Sequence, residues 1–122
     1  MANPAMCMFD EYFVVRTRAT ARRYRERVLP GTALVDDAAL ERIFAGWTVD
    51  VGSRAFTRPT LIVAGRRDST AGYADAMDLV EHYPHATVAL VDDAGHALVH
   101  ERPELLAGLV ADWLERVRAH GP

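Results

Sequence analysis

The sequence predicts an α/β fold built on a parallel sheet, and three observations carry that prediction. Residues 60–64 and 86–91 are each apolar on both faces, the pattern of strands covered by helices on two sides. Between them Tyr73, Met77, Val80 and Tyr83 recur at helical spacing, and a stronger helical stripe follows the second run. Strand, helix, strand, helix is a parallel β-α-β-α order.

From the N-terminus, the first ten residues read as an irregular lead-in. Phe13, Thr17, Ala21, Tyr24 and Val28 then form a helical stripe. Leu29-Pro30-Gly31-Thr32 is expected to end it, because proline cannot continue a helix and glycine suits a turn. Asp36 or Asp37 is placed to cap a shorter helix through Leu40, Ile43, Phe44 and Trp47. A polar stretch, Asp50 to Arg58, leads to Pro59 and the first strand. After the second strand, Pro103 sits at the expected first position of the last helix, where its missing N–H costs nothing. Leu105, Leu106, Leu109, Val110, Trp113, Leu114 and Val117 give that helix its apolar face. His120 falls in an expected frayed tail.

A chain of 122 residues, half of them apolar, is of single-domain size. Its net charge of −3 gives no overall attraction to nucleic acid or anionic membrane. No apolar run approaches the ~20 residues that span a bilayer, and the first residues lack the pattern of a signal peptide. The single cysteine, Cys7, excludes an internal disulfide and a cysteine-rich metal site. A cytoplasmic location is expected. All 14 basic residues are arginine. Six of them, Arg16, Arg18, Arg22, Arg23, Arg25 and Arg27, fall within twelve residues, and a solvated helix face offset by Asp10, Glu11 and Glu26 accounts for them. Asp92, Asp93 and His96 lack the further clustered ligand that a metal site needs. No metal, cofactor or nucleic-acid contact is expected.

The chemistry lies in two loops. Gly65-Arg66-Arg67-Asp68 follows the first strand, and Ala94-Gly95-His96 follows the second. A helical crossover makes the two strands parallel, so both loops leave the same sheet edge. Neighbouring strands lie ~4.8 Å apart, which lets Asp68 and His96 meet in the crevice where open α/β sheets place their ligands. A carboxylate that accepts the Nδ1–H of an imidazole leaves Nε2 free to take a proton. Asp68 is also suited to capping the helix that follows it.

These loops, with the run Glu101-Arg102-Pro103-Glu104 after His96, resemble the C-terminal part of the α/β-hydrolase fold, from about residue 57 to 118. The resemblance implies that Asp68 orients His96 and that His96 is the general base. It also implies a division into 1–56, a helical cap remnant, and 57–122, the C-terminal strand-helix-strand-helix of the core. The implied reaction is hydrolysis of a small organic substrate, ester-like or at a C–C bond.

In that family the nucleophile stands earlier in the chain, on a Gly-x-Ser-x-Gly elbow. Here the two serines are Ser53, without flanking glycines in the elbow pattern, and Ser69, which directly follows the acid. Cys7 has neither an elbow nor a preceding strand. The expectation is therefore an acid and a base awaiting a nucleophile from another chain, such as a complementing N-terminal hydrolase chain. Two alternatives stay open. One is a non-catalytic truncated hydrolase that self-associates through the open edge of the 60–64 strand. The other is a binding module that uses the arginine-rich helix.

Overall fold

The computed structural model describes residues 4–50 and 52–121, with side chains described from Met8 onward. The role of the Cys7 side chain falls outside the described residues. Strands β1 (Thr60–Gly65) and β2 (Ala86–Val91) pair in parallel, with Thr60 opposite Ala86 and Gly65 opposite Val91. They form a two-stranded sheet among the described residues. The chain is thus mixed α/β, with two parallel strands and several helices.

The N-terminal half departs from expectation at three points. The lead-in is a helix, α1 (Pro4–Tyr12). Phe13 does not begin the next helix. It sits fully buried in the turn after α1, its N–H bonded to the Phe9 carbonyl. The second helix runs from Arg18 to Thr32 as α2 (Arg18–Arg23), a π-helical turn (Tyr24–Val28) and α3 (Leu29–Thr32). Proline and glycine fail to stop it at residue 29 for a local reason. A proline in an ordinary helix collides with the carbonyl four residues back, here that of Glu26. In this chain the Leu29 N–H reaches the Tyr24 carbonyl, five residues back, so the backbone is already in the wider register when Pro30 arrives.

Thr17 caps α2 in a reciprocal capping box with Thr20. Asp36 caps α4 (Asp37–Ala45), accepting the Ala39 N–H at 3.0 Å. The apolar residues of α4 are not buried: Ile43 is 54% exposed, Phe44 63%, and the nearby Trp47 62%.

The crossover is shorter than its stripe suggests. It consists of α5 (Ala74–Asp78) and a 3₁₀ turn (Val80–His82). Pro84 disfavours helical backbone at Tyr83, and the chain tightens before it. With so little helix to cover them, the strands are mostly half-buried, not enclosed on both faces. A short helix, α6 (Leu98–Glu101), intervenes before α7 (Pro103–His120), which continues through His120. Trp113 Nε1 donates to the Pro59 carbonyl at 2.9 Å and Arg116 Nη2 to the Thr60 carbonyl at 3.2 Å, fixing α7 to the start of β1.

Two small cores result. Phe9, Phe13, Tyr24 and Ala97 form one, and Val91, Ala94 and Leu98 the other. Residues 97 and 98 are adjacent, so the segment after His96 joins the helical N-terminus to the sheet. No described helix is long and apolar enough to cross a membrane.

Candidate active site

The loops after β1 and β2 are bonded to each other through their backbones. The Arg66 N–H donates to the Val91 carbonyl at 2.8 Å, and the Arg67 N–H to that of Ala94 at 2.9 Å. Gly65 makes this approach possible. A Cβ there would stand 2.6 Å from both the Ala94 and Gly95 carbonyl oxygens, and backbone cannot yield as a flexible side chain can.

Held this way, His96 Nδ1 lies 3.1 Å from Asp68 Oδ2. The structure therefore brings together the two residues that the sequence singles out. The Asp68 carboxylate divides its work. Oδ1 accepts the backbone N–H groups of Thr70 (2.8 Å) and Ala71 (3.0 Å), and Oδ2 faces the histidine. The helix cap expected of Asp68 is not made, since α5 begins after Tyr73 with no side-chain cap. Asp68 instead closes the turn just after itself, alongside its bond to His96. Burial pushes the Asp68 carboxyl up. The bonds from Ala71, His96 and Thr70, together with the His96 charge, outweigh burial and hold it below its ordinary value.

His96 keeps an open side. Its side chain is 43% exposed, and Nε2 makes no hydrogen bond among the described residues. The Tyr12 ring packs against the imidazole in a T-shaped pair, at 5.7 Å between centroids. Asp68 and His96 line a groove of ≈ 910 Å³ whose walls include Val63, Leu98, Val99 and Leu106. An imidazole oriented by a carboxylate beside an apolar groove can accept and return a proton at Nε2. Ser69 adjoins Asp68 in the chain, Ser53 lies in the exposed loop before β1, and neither bonds to His96. No group of three or more His, Cys, Asp or Glu among the described residues is placed to hold a metal ion.

Sequence reasoning missed the residue that fixes the histidine loop. Glu101 is buried, 7% exposed, and its carboxylate accepts three backbone N–H groups. Oε1 takes that of Gly95 at 2.9 Å, and Oε2 takes those of Val14, at 2.9 Å, and Val15. One side chain thus ties the residue before His96 to the turn after α1. Gly95 belongs to the same junction, since a Cβ there would meet the Val14 methyl groups at 2.9 and 3.0 Å. The available signal was a carboxylate at the end of a short apolar segment, where it must find donors if it is buried.

No family model matches the chain, and no curated protein matches it. One solved structure similar to part of it is a thermophilic esterase from Thermogutta terrifontis with malate bound, 27% identical, with a TM-score of 0.45. The match covers 48% of this chain and 22% of the esterase chain, so this chain corresponds to under a quarter of that protein's length.

Proposed function

We propose that this chain carries the acid–base half of a hydrolytic site, with His96 as general base and then general acid and Asp68 as its orienting partner. The observation that supports this reading is the 3.1 Å contact between His96 Nδ1 and Asp68 Oδ2, made where two adjacent parallel strands end. Asp68 fixes the tautomer that bares Nε2. Nε2 takes the proton of a nucleophilic hydroxyl as it attacks the carbonyl of an ester-like substrate, then returns it to the leaving group. The lowered Asp68 carboxyl keeps its charge to lower pH than a free carboxylate, so loss of the Asp68 charge is displaced toward more acid pH.

The hydroxyl and the donors that stabilise the oxyanion come from a second polypeptide in this proposal. β1 has a strand on one side only among the described residues, and its open edge is where a complementing strand, or a second copy of this chain, pairs. Residues 1–56 act as a cap remnant beside residues 57–122 of the catalytic core.

Co-expression with the coding sequence immediately upstream tests the proposal. A serine-reactive fluorophosphonate should label the co-purified partner and leave this chain unlabelled. Ester hydrolysis by the complex should fall about 10²- to 10⁴-fold with His96→Gln, and Asp68→Asn should lower kcat more than it changes KM. Hydrolysis that survives His96→Gln sinks the assignment. Size-exclusion chromatography of the chain alone separates a monomer from a self-paired dimer.

A further inference from the structure

The helix face made by Ala19, Arg22, Arg23, Glu26 and Arg27 stands across a cleft of ≈ 520 Å³ from Val99, His100 and Pro103. These helix positions follow the three- and four-residue spacing of one face, so the clustering of arginine in the sequence becomes a clustering in space. Three guanidinium groups line the cleft against one carboxylate, Glu26, and that carboxylate is engaged by Arg22 Nε at 2.9 Å. Arg23 is set in place by its Nη1 bond to the His100 carbonyl at 2.8 Å, leaving other donors of its fork free. Arg27 has no ion-pair partner among the described residues. The His100 ring is backed by Phe13, at 5.9 Å between centroids.

We propose that this cleft binds a phosphate group, carried as the monoester of a small organic molecule. Arg23 and Arg27 pair with the phosphate oxygens and His100 donates to them. The cleft holds more than a bare phosphate, and Val99 and Pro103 offer an apolar wall to the organic part. Arginine suits this ligand because its planar fork of donors matches phosphate oxygens. The cleft shares the Val99 wall with the groove of Asp68 and His96 but none of its charged groups, and its test stands apart from the hydrolase proposal.

His100 supplies the reporter. Burial, then Arg23 and Arg27, push its pKa down, and Glu101 on its own helix pulls the other way. Arg22 and Glu26, bonded to each other, complete the charged groups around the cleft. A bound dianion offsets the arginines, so it raises the His100 titration midpoint and itself binds more tightly as the pH falls through that midpoint. Inorganic sulfate, whose charge is constant over this range, isolates the protein's share of the pH effect.

The experiment follows the histidine ring resonances of the full chain by NMR during titration with glycerol phosphate, inorganic phosphate and sulfate, against sodium chloride at matched ionic strength. The expected result is a saturable shift of His100 with His96 unmoved, and tighter binding of glycerol phosphate than of inorganic phosphate. Equal affinity for the two assigns the site to free phosphate. Arg27→Gln, an exposed change that leaves folding intact, should weaken binding about tenfold, and Glu26→Gln should strengthen it. A shift that chloride reproduces, or an affinity unchanged by Arg27→Gln, overturns the site. Binding of a short oligoribonucleotide more than about tenfold tighter than the monoester, with Arg18 and Arg25 contributing, replaces it with an RNA surface.

Discussion

The two helical pieces that precede β1 both carry apolar residues at helical spacing and meet opposite fates. Residues 4–32 carry an apolar stripe that is buried: Phe9, Phe13 and Tyr24 stack within 4.9–5.9 Å of one another and close over Ala97. Residues 36–49 carry an equally clear stripe, a good N-cap and two aromatic residues, yet Leu40, Ile43, Phe44 and Trp47 all stay exposed. Amphipathic spacing records that a face needs cover, and it says nothing of whether the same chain supplies it. The difference lies in the polar anchors. The first piece is held by Glu101 to two of its backbone N–H groups and by Arg23 to the His100 carbonyl, whereas among the described residues the side-chain bond of α4 is its own cap.

The comparison breaks most forcefully at Phe13. Its ring touches Phe9, Tyr12, Tyr24 and His100, and it is the largest side chain with essentially no exposure. Phe13→Ala should cost about 3–5 kcal/mol in urea unfolding, the range for an aromatic removed from a packed core. A loss near zero would mean that the N-terminal piece is not docked in solution. Glu101→Gln comes next, at about 2–3 kcal/mol. An amide oxygen can replace one acceptor while its NH₂ faces N–H groups that it cannot satisfy. Amide hydrogen exchange gives the sharper readout. Protection at Val14, Val15 and Gly95 should fall together, because one carboxylate holds all three. If Gly95 alone loses protection, the N-terminal turn has another anchor.

These anchors also explain what could be read in the sequence. The strands, their parallel pairing and the meeting of Asp68 with His96 follow from local patterns and from one topological rule, that a crossover returns the chain to the same sheet edge. The placement of Asp36 and Pro103 follows from backbone chemistry at helix starts. The bond from Glu101 to Val14 spans 87 residues. No periodicity in either segment encodes it, and a glutamate before Arg102-Pro103 reads equally well as solvent-facing. The persistence of the helix through Pro30 was hidden for another reason. Proline rules assume the ordinary helical register, and the π-helical turn at Tyr24–Val28 removes the clash on which they rest. The site was therefore legible where neighbours in sequence decide geometry, and its support was not, because distant residues decide that.

The smallest effect is expected in α4. Replacing both Phe44 and Trp47 by serine removes two aromatic rings, 6.2 Å apart, that touch each other above an exposed surface. Surface changes away from buried contacts fall within ~0.5 kcal/mol, so unfolding of the double variant should track the parent closely. Removing this much exposed apolar area should instead reduce concentration-dependent association, measured by light scattering. The two readouts together decide the comparison. Unchanged stability with less association shows a face that needs a partner outside this chain. A loss of about 2 kcal/mol or more, well beyond the surface range, shows that α4 packs against the rest of the chain in solution, and the contrast with residues 4–32 then disappears.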